Sequence, residues 1–262
     1  MRARMRWMVW GCLLRAGGLQ AQETGLAVPS AAEQDTVFRK LENRAFGLGE
    51  RLVFEIAYGP IKAGTSIMAI ADTQRVQSRL CHHIVTTAES NSFFSAFFTV
   101  RDRVESWMDV EGLFSWKFEK HLREGKFRSD RYEVYDQTRR RVFAKSDTFE
   151  APLYVQDILS SFFYARTRPL EIGQPFDIDN FADGRVYPLR VVIHRRERTK
   201  VPAGTFDCIV VEPVLRHEGI FKQTGKLTIW VTDDERKMPV LMKSKVIIGS
   251  IDARLKTYSF GK

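Results

Sequence analysis

The chain has 262 residues, 44% of them hydrophobic and 12% aromatic, which is enough apolar side chain to bury a large core and excludes disorder over most of its length. The formal charge is +9, but residues 1–21 hold four arginines and no acid, leaving 37 basic against 32 acidic residues beyond them. So mild a surplus argues against a dedicated nucleic-acid binder and points, in an exported protein, to anionic lipid or polysaccharide instead.

Residues 1–21 read as a secretory signal peptide: Arg2, Arg4 and Arg6 form a basic start, Met8 to Leu14 is apolar, and Leu19-Gln20-Ala21 offers a small residue at the cut. Export to the periplasm, or to an outer-membrane-associated location, is the expectation. Arg15 interrupts the apolar stretch, and Met5 and Met8 are alternative starts. Val9-Trp10-Gly11-Cys12 makes a poor lipobox because Trp10 is bulky, so lipidation of Cys12 is disfavoured. Beyond residue 21, no stretch approaches the roughly 20 apolar residues of a membrane-spanning helix. Residues 22–44 read as a flexible leader whose end, from Phe38, is placed to dock on a single β-rich domain at 45–262.

From Gly49 the signal is alternation. Leu52, Phe54, Ile56 and Tyr58 fall on one side of an extended chain and Arg51 and Glu55 on the other, the pattern of a half-buried strand. The two-residue period returns at Phe114, Trp116 and Phe118 against Lys117, Glu119 and His121, then at Tyr187 to Ile193, Phe206 to Val210, Leu227 to Val231 and Ile251 to Leu255. Turn signals at Gly59-Pro60, Glu111-Gly112, Glu124-Gly125, Asp183-Gly184 and Ala203-Gly204 separate these runs at spacings that suit antiparallel neighbours. The fold expected is mainly β, a meander of about twelve strands forming one large antiparallel sheet, an open or half-open barrel.

One segment has another period. Val155, Ile158, Leu159, Phe162 and Phe163 recur at helical spacing behind Asp157, and the run stops before Arg168-Pro169. This predicts one amphipathic helix of about three turns covering the sheet. Phe93, Phe94, Phe97 and Phe98 crowd into six residues, read either as core or as lining for an apolar cavity or a membrane contact. With Phe162 and Phe163 they are the candidate ligand-binding residues.

Catalytic signatures are missing. There is no Gly-x-Ser-x-Gly elbow, phosphate loop or dinucleotide fingerprint, so no enzyme and no cofactor is expected. Cys81-His82-His83 is a weak zinc candidate, since on a strand only Cys81 and His83 share a face, and no metal is assigned. Asp177, Asp179 and Asp183 lack the spacing of a calcium loop and suit a hairpin better. Asp102, Arg103, Glu105, Arg128, Asp130 and Arg131 fit cross-strand ion pairs better than acid–base chemistry. The runs Arg139-Arg140-Arg141 and Arg195 to Arg198 fit a solvated face or edge. Cys81 and Cys208 leave two outcomes open, a disulfide closing a long loop or two small buried thiols.

Four stretches carry a resemblance. Gly49-Glu50, Leu52, Phe54, Ile56, Tyr58-Gly59-Pro60-Ile61 and Ala63-Gly64 come first; Asp157-Ile158-Leu159-Ser160-Ser161 with Tyr164-Ala165-Arg166 second; Val201-Pro202-Ala203-Gly204-Thr205-Phe206-Asp207-Cys208 third; Ile229-Trp230-Val231-Thr232-Asp233-Asp234 with Pro239-Val240 fourth. In order and spacing the chain resembles the bacterial domain-of-unknown-function 3108 family. The resemblance implies an exported envelope protein of Gram-negative bacteria with no assigned activity and no catalytic residues to carry over. Three functions are weighed: a periplasmic binder of lipid or another hydrophobic molecule, a scaffold for another envelope protein, and, least favoured, a polymer hydrolase.

Overall fold

The structure, a computed structural model, describes residues 37–215, 226–245 and 249–261, so the expected signal peptide, Cys12 and the start of the leader lie outside the described residues. Among the described residues there are fourteen strands: β1 (Arg51–Tyr58), β2 (Ile61–Val76), β3 (Arg79–Ser90), β4 (Arg101–Asp109), β5 (Ser115–Glu124), β6 (Phe127–Asp136), β7 (Arg141–Ala144) and β8 (Asp147–Glu150), then β9 (Phe176–Ala182), β10 (Arg185–Val201), β11 (Gly204–Leu215), β12 (Leu227–Thr232), β13 (Pro239–Lys245) and β14 (Ser250–Ser259). Helix α1 (Ser92–Ser95) is a single turn between β3 and β4, and α2 (Ile158–Thr167) lies between β8 and β9. No helix among the described residues is long and apolar enough to cross a membrane.

All strands join one antiparallel sheet in which every neighbour is adjacent in sequence except β1, which pairs with β14. The two free edges are therefore β8 and β9, the strands that flank α2. They are not hydrogen-bonded to each other, which leaves a half-open barrel. Contacts span the gap: Phe149 packs on Phe181 at 5.4 Å, Arg131 pairs with Asp183, and the backbone of Gln156 pairs with Asn180 of β9 in a one-residue parallel bridge.

Leu52, Phe54 and Ile56 point into the core as their alternation requires. Gly64, beside the β1–β2 bulge, lets β2 approach β3 closely, because a Cβ there would stand 2.1 Å from the carbonyl oxygen of Glu89. Register shifts interrupt the alternation at several points, and one of them moves a large side chain between clusters. A bulge between Trp107 and Met108 turns Trp116 away from Phe118, so Phe118 joins the main core while Phe114 and Trp116 pack with Cys81 and Trp107 in a separate cluster. Phe38 seals that cluster, 5.3 Å from Phe114 and 5.6 Å from Trp116. Residues from 37 onward pack against the sheet and α2: Arg39 lies over the Tyr154 ring, and Phe46 meets Phe163 at 5.0 Å.

Helix α2 is not a lid with a wet outer face; none of its residues is exposed. Its polar groups are instead paired inside. Asp157 caps the N-terminus by accepting from Leu159 and Ser160 amides, and it also accepts the Ser106 and Ser115 hydroxyls of β4 and β5 at 2.6 and 2.5 Å. Near the other end, Arg166 donates to both oxygens of Glu50 at 2.7 and 2.9 Å and to the Ala45 and Arg236 carbonyls, with all of its charge buried.

The disulfide outcome is corrected. Cys81 and Cys208 are both free, and they sit in different apolar clusters. Burial pushes the Cys81 thiol up to about 12 and the Cys208 thiol up to about 11, the opposite of an activated cysteine. Mass spectrometry after alkylation in denaturant without reductant is expected to show both labelled; in native buffer neither should react.

Glu50→Gln strands the buried Arg166 charge and is expected to lower unfolding stability by about 3–5 kcal/mol in urea titrations. The Glu50→Leu/Arg166→Met double variant should recover most of that loss, since the whole pair then leaves together.

Candidate functional site

The barrel interior divides into two kinds of lining. Toward β10–β13 it is apolar, because Leu189, Val191, Val211, Ile229 and Met242 all occupy inward positions of their strands. Helix α2 crosses in front of them and leaves a partly open cleft of about 70 Å³. Ile158, Phe162 and Ala165 form its helical wall, with Leu170 beyond them, and Leu227, Val231 and Pro213 complete the sheet side. At about 10–15 Å³ for each water-sized group, the space holds a segment of an acyl chain.

Two cations border this cleft. Arg166 is committed to Glu50, but Lys237, half-buried in the β12–β13 turn, has no ion-pair partner for its ammonium among the described residues. Its backbone is held by an Asp234 side chain that accepts from the Arg236 and Lys237 amides. An apolar channel beside one uncompensated positive charge is complementary to an amphiphile with an anionic head.

Toward β4–β6 the lining is polar. Direct cross-strand neighbours place Thr86, Val104, Lys120 and Arg131 in one row and Ser106, Phe118 and Glu133 in the next. Lys120 is 3% exposed and Glu133 5%. Burial lowers the Lys120 ammonium to about 8 and raises the Glu133 carboxyl to about 7, while the Tyr135 hydroxyl donates to Glu133 at 2.7 Å. Burial likewise raises the Asp157 carboxyl against the pull of its serine donors. A second, smaller cavity of about 40 Å³ opens next to this region under α1, lined by Ile56, Ala63, Phe94, Val104 and Asp102. Burial raises the Asp102 carboxyl, which is in hydrogen-bonding reach of Glu124.

The six candidate phenylalanines do not share one site. Phe162 lines the α2 cleft and Phe94 the smaller cavity. Phe163 is fully buried against Phe46, Phe98 is half-buried, and Phe93 and Phe97 face solvent. Sequence reasoning missed Lys237, for which the turn offers no signal. It also missed Lys120, although a lysine in phase with Phe118 on an alternating strand was a visible anomaly.

Many of the remaining sequence candidates sit in ion pairs, though Arg128 and Asp102 do not among the described residues. His83 stacks on Trp107 and bonds Asp72 and Glu105, while Cys81 packs with Trp107, Phe114 and Trp116 in the smaller apolar cluster. Asp177 pairs with Arg190 and Asp183 with Arg131; Arg195 and Arg196 pair with Glu197 and Asp233. Glu105, Glu119 and His121 bring ligand atoms within 4.8 Å of one another on the outer face. Arg103 and Lys117 already neutralise those two carboxylates, which works against a cation there.

Residues 53–256 match the profile of a family described as "Protein of unknown function (DUF3108)". No curated protein matches the chain. Among solved structures, the β-barrel-like protein of domain of unknown function DUF1849 from Brucella abortus aligns at TM-score 0.55 with 10% identity, covering 83% of this chain and 100% of that one. That likeness concerns the fold alone. A candidate lipoprotein from Parabacteroides distasonis aligns at TM-score 0.36 with 9% identity over 85% of this chain and 97% of its own, too distant to carry an argument.

The polar lining makes a pH signature. Glu133 binds its proton more tightly folded than unfolded, so the folded state is favoured below about pH 4.5 and loses that advantage as pH rises to about 7. Denaturation of Glu133→Gln, measured at pH 5 and pH 8, is expected to show a shallower fall in stability over this window than the parent chain.

Proposed function

The chain belongs to the DUF3108 family, whose function is unknown, and from that premise we propose that it is a non-catalytic envelope protein that holds the apolar chain of an anionic amphiphile in the α2 cleft. The carrying observation is the cleft itself: a partly open, almost wholly apolar space between α2 and β10–β13 with an unpaired lysine beside it. Filling such a space with an acyl chain removes apolar surface from water at about 25 cal/mol per Å². Lys237 supplies the charge for a carboxylate or phosphate head. The basic-apolar start of the sequence supports export, and with it access to envelope lipids.

A scaffolding role would need a flat interaction face and no occupied interior, and the cleft weighs against it. The test is native mass spectrometry of the protein purified from a bacterial envelope, with titration of a fluorescent fatty acid. The parent chain should carry or bind the ligand, and Val211→Trp, which fills the cleft, should abolish binding while the fold persists. Lys237→Ala is expected to weaken a fatty acid about fivefold and leave a neutral chain analogue unchanged. A parent chain that arrives empty and binds nothing would overturn the reading.

A further inference from the structure

In an antiparallel meander alternate turns gather at the same end of the sheet, so the β1–β2, β3–β4 and β5–β6 connections share one rim of the barrel. That rim carries a concentration of exposed large apolar side chains: Phe97 is 78% exposed, Phe93 63%, Ile61 47% and Phe127 42%. Phe93 and Phe97 are paired edge to face at 5.7 Å. The β3–β4 and β5–β6 connections touch, since the Gly125 amide donates to the Thr99 carbonyl at 2.7 Å and the Gly125 Cα faces the Phe98 ring.

The outward rings are held there by structure. Asn91 caps α1 by accepting from the Phe94 amide and reaches across to the Lys62 carbonyl, and Ser90 and Ser95 bond each other at 2.7 Å. Phe94 alone turns inward as the anchor. A loop pinned in this way holds Phe93 and Phe97 in water.

Charge identifies the partner. Phe127 stands between Lys126 and Arg128, both exposed and neither in an ion pair among the described residues. Among the described residues Arg128 bonds the Gly125 and Phe127 carbonyls. Arg101 is exposed as well, opposite Glu89 in register with no ion pair formed, and Lys62 is held by Glu55. Aromatic side chains interleaved with uncompensated cations suit the interface of an anionic bilayer, where rings sink to the acyl boundary and cations meet the head groups.

We propose that this rim, formed by Phe93, Phe97, Phe127, Lys126 and Arg128, docks the barrel on an anionic phospholipid surface. The smaller cavity, lined by Phe94 directly beneath α1, then opens next to the membrane. The docking surface stands apart from the α2 cleft and does not require that the cleft be filled.

The test is co-sedimentation of the full exported chain with vesicles of mixed phosphatidylglycerol and phosphatidylethanolamine, with phosphatidylcholine vesicles as control. The parent chain should sediment with the anionic vesicles and stay in solution with the control, more so at low salt. Phe93→Ser/Phe97→Ser and Lys126→Glu/Arg128→Glu, all at exposed positions, should each weaken binding about tenfold or more while melting temperature stays unchanged. Val211→Trp, which closes the α2 cleft, should bind vesicles like the parent, so failure of the cleft reading and failure of the docking surface are told apart. No sedimentation of the parent chain, equal sedimentation of the variants, or a self-associated parent that Phe93→Ser/Phe97→Ser turns monomeric without any vesicle binding would each overturn the proposal.

Discussion

The architecture rests on burying a polar-ended helix inside a sheet that cannot close. Asp157 and Arg166 are fully buried ionisable side chains near opposite ends of α2, and each is satisfied by partners that only the curled sheet brings together: Ser106 and Ser115 for one, Glu50 and two backbone carbonyls for the other. A charge left unpaired there would cost several kcal/mol. The helix therefore has one position, and the gap between β8 and β9 exists because the chain leaves the sheet to build it.

That constraint also makes the interior uneven. A closed barrel with small diameter would fill itself with side chains from all strands. Here α2 takes part of the volume, and the strands it faces, β10–β13, present only apolar side chains to it, so imperfect packing between a cylinder and a curved sheet leaves a dry cleft. On the opposite side, Lys120, Glu133, Tyr135 and Asp157 form a polar lining whose protonation is set by burial. Groups with this profile resemble the raw material of acid–base chemistry, but the two halves differ in kind: the space on the apolar side is larger and almost wholly apolar, and the cavity beside the polar lining is smaller and lies under α1.

The outer features follow from the meander. Because turns alternate between the two ends, one end collects the α1 loop and the Gly125 turn, with their exposed rings and cations, while the other is sealed by residues 37–50 and the β12–β13 turn. The barrel is thus polar in the sense of having two unlike ends, one capped by its own chain and one presenting aromatic side chains to the surroundings.

Several properties were legible in the residues themselves. Alternation at Leu52 to Tyr58 and at Tyr187 to Ile193, and the Asp157 cap followed by a 3.6-residue period, are local signals, and each yields its element because backbone geometry sets which side chains share a face. The family was also readable from motifs that are mostly turn and core chemistry. Only the tertiary structure decided the rest. A one-residue bulge beside Trp107 moves Trp116 to another cluster; two cysteines more than a hundred residues apart end up in different cores; and six phenylalanines that looked alike divide among core, cleft and rim. Those outcomes depend on pairing register and on which distant strands curl together, quantities that arise from the summed packing of the whole sheet and leave no trace in any single stretch of chain.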